Sequence, residues 1–181
     1  MAAILGRRAT RAYTDEAVDR ATVERLIGTA VEAPSAMNLQ PWAFVAFAGV
    51  ERLKAFSDEA KQVLLSPGQL DFSPEVRGWL SDPAFNIFYG APVLIVICAT
   101  SPESQAAEDC CLAAQTLMLA AYDIGLASCP IGFARPWLNL AETKRRIGIP
   151  QTYHPVLPVI LGHRSAIPER HGRRAATILW P

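Results

Sequence analysis

The run "PVLIVICA", residues 92–99, constrains the fold more than any other stretch. It is continuous, rich in Val and Ile, and free of charge, which is the composition of a strand at the centre of a sheet. Even with its flanking alanine it falls far below the ~20 residues that a membrane-spanning helix needs, and "MAAIL" is too short for the core of a signal peptide. A soluble, cytoplasmic protein is therefore expected. At 181 residues, without repeat or linker, residues 1–181 read as one domain.

The elements around that strand can be placed by period and punctuation. Asp19 can cap a helix whose Val23, Leu26, Ile27 and Ala30 recur at helical spacing, and which ends before Pro34. Residues 42–48 read as a buried strand and residues 51–65 as a helix. Residues 66–90 then read as irregular, a cap-like excursion with several prolines and five aromatics. Residues 103–124 are lined with Ala, Leu, Met and Cys on nearly every face, a helix buried in a core or shared with a partner, and Gly125 closes it. "LASCPIGF" leads from a short strand into a loop, residues 138–147 read as a helix ended by Gly148, and residues 156–162 as a further strand. The tail, 165–181, is basic and ends in the apolar, strand-like "TILWP", which suggests docking onto its own sheet or a second subunit.

Lys and Arg (17) balance Asp and Glu (17), so no net field draws the chain to nucleic acid or an anionic membrane. The cations are nevertheless clustered: Arg7, Arg8 and Arg11 in front, and Lys144, Arg145, Arg146, Arg164, Arg170, Arg173 and Arg174 behind. Converging guanidinium groups suit a phosphate monoester through bidentate, charge-assisted hydrogen bonds, although a solvated surface cluster is the plainer reading of a charge run. Cys98, Cys110, Cys111 and Cys129 lack metal-ligand spacing, and His154, His163 and His171 lack the companions of a zinc site. No metal is expected. A Cys129 nucleophile with His163 as base would lack a helix start or flanking cation to activate the thiol. No glycine-rich dinucleotide fingerprint or phosphate-binding P-loop occurs.

Two loops carry more polarity or freedom than connection requires. "APSAMNLQPW", residues 33–42, sets Ser35, Asn38 and Gln40 between Pro34 and Pro41, either as turn-forming residues or as amides presented to a bound polar edge. In "SCPIGF", residues 128–133, Gly132 would let the backbone approach a flat ligand, or simply make a tight turn.

Taken in order, "RRATRAYTDEAV", "APSAMNLQPWAFV", "FYGAPVLIVI", "AAQTLMLAAYDIGLASCPIGF" and "PVLPVILGHR" resemble the flavin-dependent nitroreductase family over nearly the whole chain. The resemblance implies an α+β fold, three-layer α/β/α with a mixed, largely antiparallel central sheet, in an intertwined homodimer with FMN at the interface. It implies that Arg7, Arg8, Ala9 and Arg11 hold the FMN phosphate and ribityl region, with His163 and Arg164 closing the phosphate site. Pro34, Ser35, Asn38 and Gln40 would come from the neighbouring subunit to face the ring, and Pro130, Ile131 and Gly132 would pass beside it. Phe72, Trp79, Phe85 and Phe88 become substrate-side candidates, and the tail would embrace the partner.

The implied activity is ping-pong hydride transfer from NADH or NADPH through FMN to a nitroaromatic, quinone-like or other conjugated acceptor. Reductive dehalogenation, dehydrogenation, flavin fragmentation, or flavin binding without turnover are the alternatives. No acid, base or nucleophile is needed from the protein when the cofactor carries the chemistry. The chain departs from the family in having Ala9 where Ser is frequent, and in joining Ile131 directly to Gly132 where some members insert an acidic residue.

Overall fold

A computed structural model describes residues 1–68, 71–169 and 172–181. The central run forms β2 (Val93–Ala99), with every residue buried. Because side chains alternate across a strand, Leu94, Val96 and Cys98 join one apolar cluster, and Val93, Ile95, Ile97 and Ala99 join another. A strand buried on both faces needs cover on both, and the remaining chain supplies it.

In chain order the elements are α1 (Ala2–Gly6), α2 (Arg20–Ala30), β1 (Trp42–Ala48), α3 (Val50–Leu65), α4 (Pro74–Ser81), β2, α5 (Ser104–Asp123), β3 (Ala127–Pro130), α6 (Arg135–Leu138), α7 (Ala141–Ile147) and β4 (His154–Gly162). The strands lie in the order β1-β2-β4-β3, and each neighbouring pair is antiparallel. The parallel component is an isolated bridge between Ala9 and Ser128. The β2–β4 register shifts at Ile97/Cys98, opposite Leu157 and Pro155; a proline inside a sheet belongs at such a bulge.

On one face α2 and α5 pack through Leu26, Ala30, Cys110, Ala114, Leu117 and Ala121. On the other, α3 and α6 pack through Leu53, Phe56, Ala60, Leu64, Trp137 and Leu138. The result is the expected three-layer α+β architecture. Local signals hold where they were specific. Asp19 accepts from Thr22 N at 2.8 Å to cap α2, while Gly125 and Gly148, both at φ 84°, end α5 and α7.

Two expectations need correction. Residues 66–90 contain a helix, α4, begun by Ser73 accepting from Val76 N and by a proline in its first turn. The excursion is also pinned: buried Lys61 donates to Asp82 O and Phe85 O at 2.9 and 2.7 Å, and buried Ser57 Oγ accepts from Ile87 N at 3.0 Å. The helix read over 138–147 begins only at Ala141, after a separate α6 that ends at Leu138, where Asn139 Nδ2 turns back to Arg135 O and across to Pro155 O. A short helix, α1, precedes the arginines. The tail end "TILWP" has no regular structure within the chain, and Ile178, Leu179 and Trp180 are exposed. The basic tail residues Arg170 and His171 lie outside the described residues.

Gly162 sits where a Cβ would stand 2.6 Å from Pro92 Cδ and 2.9 Å from the Tyr13 ring. Gly162→Ala should therefore destabilise the protein by about 1–3 kcal/mol, as overpacking does, in urea unfolding. Gly78→Ala, in the interior of α4 with open space around it, should stabilise by about 0.4–1 kcal/mol.

Burial pushes the Cys98 and Cys110 thiols up to about 12 and raises Cys129 as well. Native protein treated with iodoacetamide at pH 8 should accordingly be alkylated at exposed Cys111 alone, read by peptide mass spectrometry.

Candidate functional site

Residues 7–14 form no strand of their own but are stitched along the ends of β3 and β4. Thr10 N donates to Ser128 O at 3.1 Å, Thr14 N to His163 O at 2.9 Å, and Ser165 N to Ala12 O at 3.1 Å, with Tyr13 bridged to Arg164. The Tyr13 hydroxyl closes the segment by donating to Thr10 O at 2.9 Å. This pairing aligns the front arginines with the strand ends, and so brings the front and back cation clusters together.

Three cavities follow the segment. The first, about 240 Å³, is lined by Arg7, Arg8, Ser128 and Arg164 with Gly6, Thr10 and Tyr122, and no carboxylate among the described residues lines it. The second, about 370 Å³, is lined by Arg8, Ala9, Arg11 and Arg173, with Glu169 its one acid. The third, about 350 Å³, is lined by Arg11, Phe72, Ile87, Tyr89, Pro130, Ile131, Gly132 and Phe133. Arg8 is shared by the first and second and Arg11 by the second and third, so the cavities form one trough, cationic at one end and apolar at the other.

At the cationic end, Arg8 Nη1 donates to Leu5 O and Arg7 O at 2.9 and 2.7 Å, which fixes its guanidinium. Arg8 Nε, Arg7 Nη1 and Ser128 Oγ are buried with no hydrogen-bond partner among the described residues. Each such group costs about 1–3 kcal/mol if left unpaired. Two guanidinium groups and a hydroxyl beside one cavity suit an anion with several acceptor oxygens, and a phosphate monoester fits that donor set.

At the apolar end, Phe72 and Phe133 meet edge to face at 5.8 Å, and the Arg11 guanidinium lies 6.0 Å from the Tyr89 ring centroid. Tyr89 has φ 54°, an uncommon conformation for a bulky residue. Ile131 N donates to Pro158 O at 2.8 Å and locks the floor, whereas Gly132 N donates to nothing among the described residues, and a Cβ at Gly132 would meet open space.

The titratable groups here are held protonated. Burial raises Tyr13, Tyr89 and Cys129, with Arg11 opposing in all three and Arg7 also opposing at Cys129. His163 turns its ring to Glu16 at 3.4 Å and gives the trough only its carbonyl's grip on Thr14. A Cys129–His163 nucleophile pair is therefore absent.

The trough gathers Arg7, Arg8, Ala9, Arg11, Pro130, Ile131, Gly132, Arg164 and Phe72. Pro34, Ser35, Asn38 and Gln40 line none of these cavities; their loop is exposed and bound to α5 through Ala36 N and Asp109. Phe85 packs on Tyr89 at 5.9 Å, and Trp79 is half exposed on α4. Phe88 is fully buried in the core beneath the excursion, so its role there is packing. Sequence reasoning passed over Ser128, Tyr89 and Phe133. A hydroxyl between two apolar residues of a short strand was a readable signal for Ser128. Tyr89 carries none, since its place depends on the anchoring of residues 82–87 to α3.

Comparison with known proteins gives the family and the fold. The model of the Nitroreductase family matches residues 4–163. The nitroreductase NfnB of Mycolicibacterium smegmatis is 30% identical over 158 residues, covering 70% of this chain and 68% of the relative. A nitroreductase with bound FMN from Desulfitobacterium hafniense superimposes with a TM-score of 0.83 at 27% identity, over 98% of this chain and 95% of the other. An FMN and NADPH-dependent nitroreductase from Sphigopyxis sp. strain HMH does so with 0.72 at 26%, over 93% of each. With the family model spanning most of its length and these relatives following the same fold, the chain belongs to the nitroreductase family.

Proposed function

We propose that the chain is an FMN-dependent oxidoreductase that takes hydride from NADH or NADPH and reduces nitroaromatic, quinone-like or other conjugated acceptors, acting as a homodimer. The observation that carries this reading is that Arg7, Arg8, Ser128 and Arg164 line one cavity of a nitroreductase-family chain, with donors of Arg7, Arg8 and Ser128 left unpaired among the described residues. Relatives whose names record bound FMN or FMN and NADPH dependence support the choice of cofactor and donor.

When bound, FMN supplies the hydride-carrying ring, and the protein supplies position and surroundings. Arg7, Arg8, Ser128 and Arg164 hold the phosphate, while Ala9 and Arg11 follow the ribityl chain towards the ring. Pro130, Ile131 and Gly132 form the floor, with the Gly132 N–H offered as a donor. Phe72, Tyr89 and Phe133 keep water from that end, and an apolar, protonated lining is suited to a neutral conjugated acceptor. The second wall, Pro34, Ser35, Asn38 and Gln40, comes from the other subunit, a reading supported by the exposure of this loop and its absence from the three cavities of the trough. The exposed tail with Ile178, Leu179 and Trp180 wraps that subunit, and the whole chain serves as one FMN-binding domain.

The purified protein should be yellow and should bleach anaerobically with NADH or NADPH; a colourless protein that takes up no added FMN removes the proposal. Arg7→Ala combined with Arg164→Ala should raise the FMN Kd at least about a hundredfold, at roughly 1.5 kcal/mol or more per charge-assisted contact, in fluorescence titration. Sedimentation of the FMN-loaded protein should give a dimer, and a fully loaded monomer would refute the shared wall. Initial rates with donor and acceptor varied together should give parallel double-reciprocal lines.

A further inference from the structure

One side chain near the start of α5 does not suit its surroundings. Asp109 is 2% exposed and adjoins Cys110 and Ala106 of the apolar cluster. A buried carboxylate needs a cation or good hydrogen bonds, and no Lys, Arg or His pairs with Asp109 among the described residues. Both of its oxygens instead accept from a single backbone N–H, that of Ala36, at 3.2 and 3.3 Å.

The loop so gripped carries Met37, Asn38 and Gln40 at φ 51°, 56° and 50°. Left-handed backbone at three side-chain-bearing residues persists only where the surroundings over-determine it. Much of that determination is internal. Ser35 Oγ accepts from Gln40 N at 3.0 Å, Gln40 Nε2 donates to Asn38 Oδ1 at 3.0 Å, and Asn38 N donates to Ser35 O at 3.0 Å. Such bonds give the loop its shape but do not aim it. Its aim is set at two points outside the loop: Thr100 N on Pro41 O, at 3.0 Å, where β1 begins, and Asp109 on Ala36 N at the other end.

We propose that Asp109 is a positioning residue, whose buried carboxylate holds the 34–40 loop at the angle in which Asn38 and Gln40 face the ligand. This rests on the reading of that loop as a wall of the flavin site. The carboxylate acts through Ala36 N–H and touches no ligand itself. Its ability to accept a hydrogen bond, rather than its charge, is what the loop uses.

The test compares Asp109→Asn, Asp109→Leu and Ala36→Pro in the full chain. Ala36→Pro deletes the same hydrogen bond from the loop side without entering the core, and an extended Ser35 before it tolerates proline. Hydrogen exchange of flavin-free protein should show the Ala36 amide opening at least tenfold faster in Asp109→Leu and within threefold of wild type in Asp109→Asn. With FMN bound, Asp109→Leu and Ala36→Pro should share an altered visible circular dichroism spectrum and an acceptor KM raised about fivefold or more, with kcat changed less. Asp109→Asn should restore both. The proposal is overturned if Asp109→Leu leaves exchange and spectrum as in wild type, if Asp109→Asn is as damaging as Asp109→Leu, or, should Asp109→Leu not fold, if Ala36→Pro binds flavin and acceptor as wild type does. A wild-type protein that takes up no FMN would fail the flavin reading, while the exchange comparison would still decide whether Asp109 holds the loop.

Discussion

A strand that is apolar on both faces cannot stand at the surface, and β2 is such a strand along its whole length. Burying each of its Leu, Ile and Val side chains is worth about 1.5–3 kcal/mol, a gain available only when helices cover both sides. From this follow the interior place of β2 beside β4, the small residues by which α5 approaches the sheet, and the aromatic packing of Phe47, Phe56 and Trp137 below it. The trough depends on the same constraint, because the strand ends that hold residues 7–14 are fixed by the register of a fully buried sheet.

The chemistry of the trough is separated along its length. Cations and unpaired donors gather where α1 ends and β3 begins; aromatic rings gather where the excursion crosses the end of β3. Burial of Tyr13, Tyr89 and Cys129 keeps each proton in place. That restraint suits a site in which reactivity is brought by a bound group and the protein limits side reactions.

Much of the fold was legible because its signals are local. Asp19, Gly125 and Gly148 act within one turn of where they stand, and the period of β2 is its own. The meeting of Arg7 and Arg8 with Arg164 could be expected only from the family resemblance, since it arises from backbone pairing between segments some 150 positions apart. Helix α4 was hidden by the prolines of the excursion, one of which, Pro74, sits in its first turn where proline starts a helix rather than breaking it. Phe88 could not be told from Phe72 by composition, because both are aromatics in one excursion. Only the anchoring by Lys61 and Ser57 decides which ring goes under and which stays at the rim.

Helix α5 also measures a distance. It is gripped near its start by the 34–40 loop and delivers the chain, just past its end, into the floor of the trough. From Asp109 to Asp123 it advances about 21 Å at 1.5 Å per residue. The loop and the floor are thus held apart by a rigid rod, and neither can be bent towards the other without breaking the core. Under the proposed pairing, a chain built this way owns two unlike half-sites at opposite ends of a strut. An alteration at Asp109 is then felt in the active site of the neighbouring molecule and not in its own.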